Sequence, residues 1–355
     1  MGYRMPKLNG FGLYVLLAVS CCAAADPCAE ATAALQRREF AQAEGLLRQC
    51  IAAHPDQLLP YIQLCSIYQS QGRDSDLQKT ALEGMKRFPA EKRFYITVGN
   101  RAGRDKRYRQ AIEVFSEAFK RWPDDELFRK NLAGAHLGLG LQLMAANKYQ
   151  EAEVQLQQAT KLSPDDVEAH WNLGRALHNL VRSDEAVREF DIVIKLDPQL
   201  KLAHSDRGVV LYQLREFDRA IADLTREIEM NPSYPPSYLF RGLARFAIAD
   251  LDGAIKDLDI AVDRMPEILR AHYARARCLQ RLGRSGEAET EYRTAMGLDP
   301  ADPAPVNGLA RLLMETGRKE EAEQLSEKAK ELMTKRRGET DREMISGHPD
   351  KPDNK

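Results

Sequence analysis

The chain has 355 residues, with 52 Lys and Arg against 53 Asp and Glu, and the resulting formal charge of -1 favours neither nucleic acid nor an anionic membrane as a partner. A hydrophobic content of 43% permits a packed core, while 30% charged and 7% aromatic residues suit helices with large solvated faces. Composition is even along the chain, which fits one repeating architecture better than two unlike domains.

Residues 1–25 read differently from the rest. Arg4 and Lys7 make a basic start, Phe11 to Val19 is nearly all apolar, and Ala23, Ala24 and Ala25 offer a small-residue cleavage site before Asp26. This pattern predicts a signal peptide and export to the periplasm or beyond the cell. The apolar run is shorter than the roughly 20 residues of a membrane-spanning helix, and no later segment approaches that length. Cys21 and Cys22 follow the apolar run as a lipidated cysteine would. However, Ala18-Val19-Ser20 lacks the leucine usual three residues before Cys21, and Cys22 follows Cys21 rather than Gly or Ala. Cleavage after Ala25 to a free chain is therefore expected over a lipid anchor.

Prolines expose an internal repeat. Pro55, Pro89 and Pro123, then Pro164, Pro198, Pro232, Pro266 and Pro300, are each 34 residues apart except for the step from Pro123 to Pro164. That step is longer by the seven residues 126–132, close to two turns at about 3.6 residues per turn, and predicts a lengthened helix. Counting Val167 as position 1, one block carries Leu173, Gly174, Leu177, Ala186, Phe190 and Val193. The next carries Arg207, Gly208, Leu211, Ala220, Leu224 and Glu227, and the one after it Arg241, Gly242, Arg245, Ala254, Leu258 and Ala261. Positions 4, 7, 8 and 11 form a stripe on a first helix, and positions 20, 24 and 27 one on a second. Small residues at 8 and 20 let the two backbones approach, and proline at 32 ends the second helix.

These residues resemble the tetratricopeptide repeat family, with its 34-residue helix-turn-helix unit. The resemblance covers residues 24–57, 58–91, 92–125, 133–166 (with the extension 126–132), 167–200, 201–234, 235–268, 269–302 and 303–336, giving about nine repeats over 26–336. It implies an all-α, right-handed superhelical solenoid that binds a protein or peptide in its concave groove. Residues 337–355, with Gly338, Gly347, Pro349 and Pro352 among many charges, lack a helical stripe and are expected to be a disordered tail.

No His-Glu-x-x-His, paired Cys-x-x-Cys, phosphate-cradling glycine loop or serine elbow occurs, so no catalytic residue, metal or cofactor is expected. His136, His170, His204 and His272 all fall at position 4. Neighbouring helices pack about 8–10 Å apart, too far for a metal ladder, so these histidines are expected to pack. The mature chain keeps Cys28, Cys50, Cys65 and Cys278. Cys28 and Cys50 lie at similar distances from the Arg38-Glu39-Phe40 turn, and an antiparallel hairpin would bring them together as a disulfide.

The face opposite the stripe, at positions 2, 5, 6, 9, 12 and 13 of each first helix, lines the groove in the family. Here it reads Trp171 and Arg175, then Val209 and Tyr212, then Leu239, Phe240, Leu243 and Phe246, then Tyr273, Arg277 and Arg281. Aromatics and arginine on an open groove are the types enriched at binding hot spots, and an extended or helical peptide is the expected guest. An alternative is a cell-wall glycan stacked on Trp171, Tyr212 and Tyr273. The family's clamp for a partner's C-terminal carboxylate is not matched, since Asn100 fits it but Gly138 follows at position 6 of the next repeat. Two other features bear on a partner. The lengthened helix around Leu127 and Phe128 would project as a docking edge, and the basic turn Arg101, Arg104, Lys106, Arg107 and Arg109 is expected to be solvated rather than to touch phosphate or anionic lipid.

Overall fold

The computed structural model describes residues 26–346. The proposed signal segment and the lipidation candidates Cys21 and Cys22 lie outside the described residues. Among the described residues the chain is all-helical, with eighteen helices and no strand. They group into two compact units, Met1–Asp166 and Val167–Lys355, whose border coincides with the border between the fourth and fifth repeats.

In the first unit α1 (Pro27–Gln36) pairs with α2 (Phe40–Ala53), and α3 (Leu58–Ser70) with α4 (Asp74–Arg87). Next come α5 (Lys92–Arg104) with α6 (Tyr108–Arg121), and α7 (Glu126–Ala145) with α8 (Tyr149–Leu162). The second unit pairs α9 (Val167–Asn179) with α10 (Ser183–Leu196), α11 (Ala203–Gln213) with α12 (Phe217–Met230), and α13 (Pro235–Ala247) with α14 (Leu251–Arg264). It ends with α15 (Leu269–Arg281) against α16 (Ser285–Leu298), and α17 (Pro303–Glu315) against α18 (Lys319–Ser346).

Each hairpin closes where position 8 of its first helix meets position 24 of its second. A Cβ added to Gly208 would stand 2.8 Å from Leu224 Cγ, and one added to Gly242 would stand 2.9 Å from Leu258 Cγ. In the second repeat the volumes are exchanged, and buried Cys65 at position 8 is matched by buried Ala81 at position 24. Burial pushes the Cys65 thiol up to about 12.

The turn within each hairpin has one backbone solution. Position 15 is left-handed in every repeat, at Gly72, Gly283 and Gly317 but also at Arg38, Lys106, Asn147, Val181, Arg215 and Ala249. In the fifth repeat the Val181 N–H reaches the His178 carbonyl at 3.0 Å and the Arg182 N–H reaches the Leu177 carbonyl at 2.9 Å. This is the paired bonding of a Schellman cap, which satisfies carbonyls that the helix end would leave open.

The structure joins Cys28, early in α1, to Cys50, late in α2, by a disulfide with Cα atoms 5.0 Å apart. Residues 126–132 do lengthen a helix, since α7 begins at Glu126 with the Asp125 carboxylate accepting the Leu127 N–H at 3.0 Å. The extension does not present Phe128 as a docking edge, however. Phe128 is fully buried and stacks on Trp122 at 5.3 Å, and Arg129 donates to the Leu162 carbonyl, so these side chains are spent on packing within the first unit. Within the segment expected to be a tail, helix α18 continues past Arg336 to Ser346, because Lys335 to Met344 are mostly helix formers, and residues 347–355 lie outside the described residues. A single Gly338 costs about 1 kcal/mol in helix propensity, too little to end it.

In the second unit three arginines at position 7 link four consecutive hairpins. Arg207 holds Asp223 of its own hairpin at 2.6 Å and Asp191 of the preceding one at 2.6 Å. Arg241 does the same with Asp257 at 2.7 Å and Thr225 at 3.1 Å, and Arg275 with Glu291 at 2.6 Å and Asp259 at 2.7 Å. The position-4 histidines join these acids: His204 Nδ1 lies 3.1 Å from Asp223, and His272 Nδ1 lies 2.6 Å from Glu291. Burial opposes the Asp223 charge, yet Arg207 and His204 beside it hold its carboxyl below the usual range.

Two outcomes are expected. Val181 is β-branched, 85% exposed and left-handed at φ 60°, so Val181→Gly relieves backbone strain without losing a contact. It should raise stability by about 1 kcal/mol, read as a higher urea midpoint at unchanged slope. For Asp223, a folded pKa below the unfolded value of about 3.9 means that its pairing stabilises above that value and is lost as pH falls through the folded pKa. Asp223→Asn should therefore be roughly 2 kcal/mol less stable at neutral pH and lose less than the parent on acidification, measured by urea unfolding at a series of pH values.

Candidate functional site

The inner faces of α9, α11, α13 and α15 carry the candidate groove residues, all within the second unit. The structure separates them into two groups. Trp171, Val209, Tyr212, Phe240, Phe246, Tyr273 and Arg277 are half-buried, and Arg175 and Arg281 are exposed. Leu239 and Leu243 are not groove residues. Both are buried in the cluster that includes Leu258, Ala271 and Leu279, because α15 packs against that flank of α13.

The remaining residues form two polar and aromatic groupings. In the first, Trp171 Nε1–H donates to Asp206 Oδ2 at 2.7 Å, and the Arg175 guanidinium lies 5.6 Å from the centre of the Trp171 ring. Burial pushes the Asp206 carboxyl up, against the Trp171 hydrogen bond and the charge of Arg175, and nearby Glu227 adds to the rise. Glu227 is itself fully buried at position 27, where adjacent repeats have Val193 and Ala261. Both of its oxygens accept the Leu202 N–H, at 3.0 Å each. Leu202 is left-handed at φ 74°, and α11 starts only at Ala203, with 11 residues where α9 and α13 have 13. The buried carboxylate thus takes up a backbone N–H at the start of α11, where a helix has no acceptor of its own to offer.

In the second grouping the Tyr212 ring is set 5.9 Å from Phe217 and 5.9 Å from Phe240. Arg270 stands 4.8 Å over Phe240. Arg277 and Arg281 stand 4.8 Å and 5.1 Å from the centre of Phe246, and Arg277 also lies 5.7 Å from Tyr273. Tyr273 in turn meets Tyr292 at 6.0 Å. The floor is thus a set of half-buried rings, with guanidinium groups close to Phe240, Phe246 and Tyr273.

Asp206 and Arg270 complete the site and were not singled out from sequence. Arg270 stands at position 2, one of the groove positions, and Asp206 at position 6, so periodicity alone could have found both. Glu227 was visible as an acid in an apolar stripe, but its partner Leu202 lies in a helix turn that the repeat pattern predicts to be regular.

Elsewhere the chemistry is already engaged. His170 Nδ1 meets Glu189 at 2.6 Å and His136 Nδ1 meets Gln155 at 2.9 Å, so the position-4 histidines pair within their hairpins. The described residues include one compact set of possible metal ligands, Asp26, Cys28 and His54, but the Cys28 sulfur is in the disulfide and offers no thiolate. In the basic turn Arg101 pairs with Asp74 and Asp105, Arg107 pairs with Asp105 at 2.8 Å, and Arg109 lies 3.8 Å from Glu151.

Comparison with known proteins bears on the repeat. A tetratricopeptide repeat family model matches residues 99–142, 137–201, 182–235, 205–267 and 239–303, and a second such model matches 283–335. No curated protein matches the chain. Among solved structures, pilF of Pseudomonas aeruginosa is 17% identical with a TM-score of 0.50, covering 57% of this chain and 93% of its own. A tetratricopeptide repeat protein of Parabacteroides merdae is 16% identical with a TM-score of 0.48, covering 67% of this chain and 91% of its own. MamA of Desulfovibrio magneticus RS-1 is 25% identical with a TM-score of 0.45, covering 48% and 96%. The match to pilF concerns the fold alone. With family models matching well over half its length, and helical hairpins at every predicted repeat, the chain belongs to the tetratricopeptide repeat family.

Proposed function

We propose that the chain is an exported, non-catalytic scaffold that binds a peptide segment of a partner protein along the inner helices of its second unit. The observation that carries this reading is the row of half-buried rings Tyr212, Phe240, Phe246 and Tyr273, the last three of which lie beside the guanidinium groups of Arg270, Arg277 and Arg281. One side of each ring packs on the core of the unit while the other stays partly exposed, and half-desolvated aromatics and arginines are the groups that carry binding energy at protein interfaces. Membership of a family built for binding supports the same role. Export is supported by the signal-like start of the sequence and by the Cys28–Cys50 disulfide, which suits an oxidising compartment such as the periplasm.

The glycan alternative draws less support. Sugar stacking needs an open ring face, but Trp171 is faced by Arg175, Tyr273 by Arg277, and Tyr212 is wedged between Phe217 and Phe240.

The test is in-cell crosslinking of the full chain with mass spectrometry, followed by direct binding of the captured protein in purified form, with Tyr212→Ala and Phe246→Ala variants whose helicity is unchanged. The expected result is one exported partner whose affinity falls about tenfold or more in each variant, as for loss of a hot-spot ring. Equal affinity of parent and both variants would remove the inner face of this unit as the binding site.

A further inference from the structure

The arginines of the second unit fall into two classes. Those at position 7 are spent: Arg207, Arg241 and Arg275 each grip a carboxylate of their own hairpin and a second group on the preceding one. Arg270, Arg277 and Arg281 are not. Among the described residues none of these three has a carboxylate within ion-pair distance; each instead lies over an aromatic ring, at 4.8, 4.8 and 5.1 Å. Arg277 and Arg281 share the Phe246 ring and stand four residues apart on α15, a like-charge spacing that is unfavourable on a helix by itself. In a chain with 52 basic and 53 acidic residues, where arginines elsewhere are regularly paired, this is a local excess of positive charge held in place by rings. A guanidinium that lies over a ring and has no carboxylate of its own keeps N–H groups for the two oxygens of an incoming carboxylate, and the half-buried rings lower the cost of ordering it.

We propose that the partner segment bound here is an acidic peptide, one that places Asp or Glu side chains against Arg277, Arg281 and Arg270 and an apolar side chain against Tyr212 and Phe240. The inference rests on the groove reading above and narrows it to a charge class. The geometry disfavours the other polyanions. Nucleic acid held on such a site stacks its bases on a series of open rings, but here guanidiniums stand close to Phe240, Phe246 and Tyr273. A membrane surface calls for protruding apolar side chains, and these rings are half-buried.

The probe is a displayed library of random 12-residue peptides, selected on the full mature chain at about 50 mM salt, where the Debye length is long enough for unscreened pairing. The expected result is a selected pool at least about twofold richer in Asp and Glu than the input, with enrichment that fades near 0.5 M salt. The double variant Arg277→Gln, Arg281→Gln should lose this enrichment, and the lysine pair at the same positions should keep part of it. Arg281→Gln alone, at an exposed residue, keeps the comparison available if the double variant unfolds. A pool with no acidic enrichment, or one unchanged by the arginine substitutions, overturns the proposal. So does arginine-dependent binding of a single-stranded thymidine oligonucleotide that competes with the selected peptides. A Tyr212→Ala variant separates the two levels: if it abolishes selection while the pool is not acidic, the groove stands and the charge class falls. If neither it nor the arginine variants alter the pool, the groove itself falls.

Discussion

A small residue on the first helix of a hairpin facing a large one on the second is the contact on which the rest is built. Gly174 against Phe190, Gly208 against Leu224 and Gly242 against Leu258 leave no room for a Cβ, so the two helices of a pair meet at a fixed depth. Overpacking there would cost about 1–3 kcal/mol, a large share of the stability any one repeat contributes. The left-handed residue at position 15 completes the constraint by turning the chain back on itself within a few residues. That this backbone persists at Val181, where it is strained, shows that helix pairing outweighs the local preference.

Once hairpins are fixed in depth, the chemistry of their edges decides what is structural and what is available. In the second unit the position-7 arginines and position-4 histidines converge on acids at position 23 of their own hairpin, such as Asp223 and Glu291, and the same arginines reach back to Asp191, Thr225 and Asp259 to tie hairpin to hairpin. These groups are shielded and mutually satisfied. Arg270, Arg277 and Arg281 of the inner face have rings in place of acids, and among the described residues no carboxylate pairs with them. The distinction follows from position in the repeat: position 7 looks toward the second helix of its own hairpin, whereas positions 2, 9 and 13 look away from it.

Glu227 and Leu202 show how a repeat is locally broken to build something else. A carboxylate buried at an apolar position would be costly unless it were hydrogen-bonded, and here the N–H of a left-handed Leu202 supplies the bond. The result shortens α11 and sets Glu227 close enough to raise the Asp206 carboxyl at the end of the Trp171 hydrogen bond. Strain of this kind beside an aromatic inner face is typical of sites that bind.

The proline spacing and the small-residue positions were enough to define the hairpins, their borders and the lengthened α7, because each is a local property of a 34-residue unit. Sequence also placed Cys28 and Cys50 at matching heights on two antiparallel helices, where the structure has the disulfide. It misjudged Leu239, Leu243 and Phe128, whose periodicity marks them as outward-facing or projecting while neighbouring elements cover them. Helical period tells which side of a helix a residue occupies but not what lies across from it. It likewise did not distinguish Arg207, clasped between acids, from Arg277, laid on rings, since both are arginines on a first helix. Which arginines were spent on stacking the hairpins and which were laid on rings was decided only when consecutive hairpins packed, because an ion pair depends on the distance between helices, and that distance is not written in any one repeat.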